Sequence, residues 1–219
     1  MFLKQIIKII LFFICTALTV NNLQAQSRFR GGFVVGMNAA QIDGDGTAGY
    51  RQVGLSSGVR ALVELGGLWE LSLDILYSQK GSRKSVENEA PFFKEAFSRL
   101  NYLEVPVLLN LRDWKQTTKS GETYYKVHLS AGISYSRLFS VTSNDNFSHK
   151  AVLDKFAKTS IAYTGGIGYY VNRNWGFTWR IARSFGYLFD ANDYPNDPVA
   201  QNLLPLKEHY FTFQTTWIF

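Results

Sequence analysis

The segment Tyr125-Lys126-Val127-His128-Leu129-Ser130-Ala131-Gly132-Ile133-Ser134-Tyr135-Ser136 decides the fold class. From Tyr125 to Tyr135 every second residue is apolar or aromatic, and each residue between is basic, small or polar. Successive side chains of a strand point to opposite faces, so this order gives one strand two faces of opposite character. The period recurs on either side. Upstream, Trp69, Leu71, Leu73, Ile75 and Tyr77 oppose Glu70, Ser72, Asp74, Ser78 and Lys80, and Leu103, Val105, Val107, Leu109 and Leu111 oppose Tyr102, Glu104, Pro106, Leu108 and Asn110. Downstream, Ile161, Tyr163, Gly165, Ile167, Tyr169 and Val171 oppose Ala162, Thr164, Gly166, Gly168 and Tyr170. We read strands near 28–42, 54–65, 69–80, 100–112, 124–138, 160–171, 175–188 and 208–219, separated by breaks bearing Gly, Asn, Asp and Pro.

Two architectures accept such a pattern. A soluble lipocalin-like barrel turns its bulky face inward, whereas a membrane barrel turns it to lipid and packs small and polar residues inside. Here the polar face mixes charges with Gly, Ser, Ala and Thr, and the bulky face is nearly free of charge on almost every strand. That predicts an eight-stranded, antiparallel, up-and-down transmembrane β-barrel, closed because an open edge leaves backbone groups unbonded in hydrocarbon. Connection lengths agree. The turns at 66–68, 113–123 and 171–174 are short or medium, while 43–53, 81–99, 139–159 and 189–207 are longer and polar. Short turns on the periplasmic side and long loops outside are the pattern of outer-membrane barrels. Phe29, Trp69, Trp175, Trp217 and Phe219 then fall near the periplasmic interface, and Tyr77, Tyr135 and Phe185 near the outer one, as aromatic belts require.

The N-terminus predicts export. Lys4 and Lys8 precede the apolar run Ile9–Val20, and Ala25 offers a cut before Gln26, giving a signal peptide at 1–25 and a barrel domain at 26–219. The apolar run is short for a membrane anchor, and Ile14 before Cys15 is too bulky for a lipoprotein site. Cleavage removes Cys15, the sole cysteine, and with two lysines lost lowers the formal charge from +6 to +4. So diffuse a positive charge does not indicate nucleic-acid binding. The last strand, His209 to Phe219, alternates and ends on an aromatic residue. It resembles the C-terminal signal handed to the barrel-insertion machinery, which is therefore an expected partner along with lipid and lipopolysaccharide.

An eight-stranded barrel is just wide enough for its own side chains to fill it. The inward phase holds Arg30, Arg60, Glu64, Glu70, Asp74, Lys80, Glu104, Lys126, His128 and Arg180. Buried charges must be paired. Arg60 with Asp74 at mid-height, Lys80 with Glu104 nearer the outer rim, and Arg180 are expected to form a structural ion-pair core, with a proton or ion path as the sharper alternative. Arg137 and Arg183 fall in the lipid-facing phase near the outer ends, where they reach lipopolysaccharide unless a bulge turns them inward. Loop 81–99 carries Phe92, Phe93 and Phe97 among mixed charges, a candidate partner surface. No catalytic or cofactor motif is found. The three histidines, His128, His149 and His209, share no metal-ligand spacing, and Asp190, Asp193 and Asp197 do not match a calcium loop.

The stretch Tyr102-Leu103-Glu104-Val105-Pro106-Val107-Leu108-Leu109-Asn110 resembles the Y-L-E-[IV]-P-[LVI]-L-[LI] segment of PorT-like outer-membrane β-barrels of Bacteroidota, often labelled the porin family. Gly31–Asn38 is similar to that family's first strand, G-x-K-x-G-x-N, without its Lys, and the Ala25-Gln26 junction resembles cleavage sites in that phylum. The resemblance implies fold and compartment. Some relatives are associated with gliding and type IX secretion. The expectation is a non-enzymatic outer-membrane barrel, a structural anchor or loop-mediated interaction protein. The alternative is a narrow channel or an accessory barrel of a secretion or motility complex.

Overall fold

The alternating runs pair into eight antiparallel strands in a computed structural model, which describes residues 28–46, 49–84, 96–118, 121–144 and 146–219. In chain order they are β1 (Phe29–Asp43), β2 (Gln52–Gly66), β3 (Trp69–Lys84), β4 (Ala96–Thr117), β5 (Thr123–Ser143), β6 (Thr159–Tyr170), β7 (Trp175–Ser184) and β8 (Lys207–Ile218). Each strand pairs with its neighbours in sequence, and β1 closes the ring on β8 from Gly32 opposite Ile218 to Asp43 opposite Lys207. The N- and C-terminal ends of the strand ring and the short turns share one end of the barrel, and the long connections share the other. The leader expected at 1–25 lies outside the described residues.

Side-chain phase follows the sequence closely. Phe33, Val59, Ile75, Leu103, Ile133, Ile167, Phe177 and Phe213 cover the outer wall and are all exposed. Their polar neighbours along each strand are buried inside. A wall of large apolar side chains facing outward is opposite to a soluble barrel and matches contact with hydrocarbon. Rings gather at both ends of this wall. Trp175 meets Trp217 edge-on at 5.4 Å and Phe33 meets Phe219 at 5.7 Å toward the short-turn end, while Tyr77 meets Phe139 at 6.0 Å and Tyr163 meets Phe185 at 5.3 Å toward the long-loop end. Inside, glycines let strongly coiled strands approach. A Cβ on Gly58 would overlap the Ile75 carbonyl of β3, and one on Gly132 the Val107 carbonyl of β4.

Several boundaries differ from the sequence reading. β4 and β5 form one long hairpin of 22 and 21 residues, running past the membrane wall in both directions. At its tip Trp114 adopts φ 59°, a left-handed conformation unusual for a bulky residue. Beside it the alternation expected for the start of β5 is lost. Tyr125, expected outward, places its ring 4.7 Å from the Arg112 guanidinium in the bore, and Lys126, expected inward, lies over the exposed Trp114 ring at 5.1 Å. β7 stops at Ser184 rather than at 188. Phe97, expected in a loop, stands in β4 opposite Arg83, whereas Phe92 and Phe93 lie outside the described residues.

The long connections are not simply polar. The β5–β6 connection contains a 3-10 segment at Lys150–Lys155, and the β7–β8 connection contains another at Ala191–Asp193 followed by the short helix α1 (Pro198–Gln201). Phe147, Val152 and Phe156 from the first and Leu188, Phe189, Ala200 and Leu206 from the second are buried together with Ile42, Leu100 and Leu138 of the barrel rim. The result is an apolar cap seated on one mouth of the barrel. Backbone bonds fasten it: Ala157 N–H donates to Leu188 O and Leu188 N–H to Leu206 O, both at 2.8 Å. Lys155 pairs with Asp197, and His149 Nε2 lies 2.9 Å from Leu204 O.

Candidate functional site in the barrel lumen

Beneath the cap the bore is occupied by three layers of polar side chains, each carried inward by the two-residue period of its strand. In the layer nearest the short turns, Arg30 of β1 contacts Glu70 of β3 at 2.5 Å and Glu64 of β2 at 3.4 Å. Arg112 of β4 donates to Glu64 at 2.7 Å and to Glu70 at 3.3 Å. Two cations and two carboxylates therefore close a ring across four adjacent strands. A cavity of about 270 Å³, lined by these four side chains with Tyr125 and His128, opens here at the short-turn end.

The middle layer centres on Asp74, which is fully buried. Arg60, its partner across β2–β3, donates from Nε at 2.7 Å and from Nη2 at 2.8 Å, a bidentate fork. Arg180 of β7 donates to the same carboxylate at 3.3 Å and also bonds Gln214. Gln214 in turn donates to Ser56 at 2.9 Å. In an eight-membered ring β3 and β7 are diametrically opposite, so Asp74–Arg180 spans the bore.

The upper layer spans it again. Lys80 of β3 lies 3.0 Å from Glu104 of β4, and its ammonium sits 3.8 Å from the Tyr210 ring centre. Tyr210 of β8 donates to Glu104 at 2.7 Å, and Tyr102 of β4 donates to Glu208 of β8 at 2.7 Å. Again β4 and β8 face each other across the ring. Ser134 adds a third donor to Glu104 at 2.7 Å.

Among the described residues the three layers hold five cations and five carboxylates. The middle layer has one cation in excess and the upper layer one carboxylate, so adjacent layers compensate. Of these ten, Arg112 and Glu208 were absent from the residues singled out in the sequence. Both fall within strands read at 100–112 and 208–219 and keep their two-residue period: Arg112 lies two beyond Asn110, and Glu208 two before Tyr210. Carrying the period two residues further would have found them.

The remaining candidates are dispersed. Arg137 and Arg183 both point outward near the long-loop end, opposite Leu103 and Tyr163 respectively, and neither is turned in by a bulge. Asp190 and Asp197 serve as caps for the turns that follow them, accepting from Asn192 N–H at 3.0 Å and from Val199 N–H at 2.9 Å. His128 is buried in the bore against Tyr170, and His149 within the cap. No three His, Cys, Asp or Glu side chains among the described residues converge as a metal site would need. The site is a packed ionic core with a charged vestibule below it and an apolar cap above it.

A closed, lipid-faced antiparallel ring of eight strands with a polar bore defines an integral outer-membrane barrel. The chain matches the model of the outer membrane protein beta-barrel domain over residues 24–190 and belongs to that family, whose compartment is the outer membrane. Comparison with curated proteins returns no match. Among solved structures the chain is similar to Ail, the attachment invasion locus protein of Yersinia pestis, at 14% identity over 88% of this chain and 99% of that one, TM-score 0.46. It is also similar to Neisserial surface protein A, at 15% identity over 87% and 97%, TM-score 0.41. OprG from Pseudomonas aeruginosa matches at 14% identity over 87% and 94%, TM-score 0.40.

Proposed function

We propose that this chain is a non-enzymatic barrel with a closed bore, acting as a structural anchor or interaction protein through the surface it displays. The observation that carries this reading is the pair of bridges joining opposite walls, Asp74–Arg180 and Glu104–Tyr210, beneath an apolar cap. A diffusion pore needs a continuous aqueous path. Here every solute would have to break charge-assisted bonds that stabilise the fold. The asymmetry of turn lengths supports an orientation with the cap outside the cell. Arg137 and Arg183 then stand where anionic headgroups of the outer leaflet lie, and export relies on cleavage of 1–25. The PorT-like reading rests on Tyr102–Asn110, whose inward Tyr102 and Glu104 are the side chains of β4 that reach β8. On that reading the stretch encodes the closure of the bore.

Reconstitution into liposomes followed by osmotic swelling in small sugars tests the proposal. No swelling above empty vesicles is expected, and rapid swelling in a monosaccharide would overturn the closed bore. Crosslinking in the native membrane tests the interaction role. Recovery of a defined protein partner through the cap is expected, and recovery of the chain with lipid alone would leave only the anchor.

A further inference from the structure

The outer wall has a gap at Gly165. Bulky side chains cover it on strand after strand, but β6 places Gly165 between Tyr163 and Ile167 in the outward phase, flanked across the ladder by Ala131 and Ile181. A Cβ at Gly165 would meet only the Ser130 carbonyl, at 3.7 Å, so the space in front of it is open. The connection after β1 folds back along the outside of the barrel toward this gap. Tyr50 lies 4.5 Å from the outward Phe211 ring and edge-on to His209 at 5.1 Å. Gly165, Tyr163, Ile181 and Tyr50 thereby enclose a groove of about 480 Å³, within the size range of sites that hold small ligands.

One end of this groove is charged. Arg183 sits between Tyr163 on β6 and His209 on β8, and its side chain is 52% exposed, so its guanidinium is open to a ligand in the groove. The nearest acidic group, Asp43, is 4.0 Å from the guanidinium and is shared with His209 Nδ1 at 3.2 Å. The groove is thus an apolar slot in the lipid-facing belt, closed by small residues below and walled by rings, with an exposed cation at its long-loop end. That combination suits an acyl chain joined to an anionic headgroup.

We propose that the slot binds one acyl chain of a phosphorylated outer-leaflet glycolipid of the lipid A type, with a phosphate held by Arg183. The assignment deepens the headgroup contact proposed above for Arg183 and rests on the long-loop end facing outward. It does not depend on whether the bore conducts. The test uses the full chain, refolded in detergent micelles and titrated separately with lipid A, phosphatidylglycerol and phosphatidylcholine, with bound lipid counted by native mass spectrometry. One lipid A per barrel is expected, retained in preference to both phospholipids. Gly165→Leu, which fills the slot, and Arg183→Gln, which removes the cation, should each lower retention about tenfold. Arg173→Gln, an exposed cation in the turn at the opposite, short-turn end, should leave it unchanged. Unheated gel mobility shows that each variant is folded. Equal retention of lipid A by the variants overturns the proposal, as does equal retention of phosphatidylglycerol. A loss confined to one of the two slot variants also overturns it, since chain and phosphate would then not be read by one site. The measurement is made in micelles and reads the slot whatever the orientation, so a failure of orientation is detected separately by surface labelling of the cap.

Discussion

Replacing Asp74 with alanine removes the anion that two arginines share at the centre of the bore. Asp74 accepts two bonds from Arg60, at 2.7 and 2.8 Å, and one from Arg180 at 3.3 Å, and no part of it reaches solvent. Removing one partner of a buried ion pair costs about 3–5 kcal/mol, because the remaining charge stays buried without compensation. Two cations are stranded here, so the upper end of that range, about 5 kcal/mol, is expected. Asp74→Asn keeps an acceptor for the Arg60 fork and should cost less. The triple change Arg60→Met, Asp74→Leu, Arg180→Met removes the charges together and should recover most of the loss, since apolar replacement of a whole buried ionic group is often near neutral. Denaturant unfolding in lipid vesicles, followed by tryptophan fluorescence, reads the difference. Four of the five tryptophans, Trp69, Trp175, Trp179 and Trp217, stand on the outer wall, so their emission reports loss of lipid contact. A cost below about 1 kcal/mol for Asp74→Ala would mean that water already solvates the arginines. The reasoning for a dry, bridged bore would then be wrong.

Other outcomes follow from the same geometry. Gly58→Ala should cost about 1–3 kcal/mol, by forcing a Cβ against the β3 backbone, whereas Gly165→Ala should change stability by less than about 0.5 kcal/mol. Unfolding midpoints of the two variants decide this, and equal midpoints would contradict it. Phe156→Ala and Phe189→Ala each empty a fully buried position in the cap and should cost about 3–5 kcal/mol locally. Limited proteolysis should then cut within 144–158 or 185–206 while the strand ladder persists. Asn192→Cys should react with an impermeant maleimide on intact cells and Asn172→Cys should not, and the reverse would invert the orientation. Sequencing the mature chain should begin at Gln26.

Much of the fold was legible because a barrel strand displays its two environments in strict alternation. Trp69 to Lys80 and Leu103 to Asn110 can be assigned side by side from period alone, and the Arg60–Asp74 contact follows from the β2–β3 register once the turn at 66–68 is placed. What escaped reading lies where the period stops. Beside the left-handed Trp114, Tyr125 and Lys126 depart from the faces expected of them, and no local signal in the sequence announces it. The cap escaped for a different reason. Phe147, Val152, Phe156, Leu188 and Phe189 are spread among charges at no regular spacing, so their burial depends on two connections meeting in space. Arg183 was visible as an outward cation, but its slot depends on Tyr50 folding back from a connection more than a hundred residues away.

Planar-bilayer recording tests the closed bore most directly. Purified, refolded protein should insert without steady single-channel steps in symmetrical salt. The Phe156→Ala, Phe189→Ala double variant should be equally silent, because the bridges from β3 to β7 and from β4 to β8 lie beneath the cap. Reproducible, steady steps from the unaltered chain would contradict the account, and would show that ions pass the layers described as closing the bore.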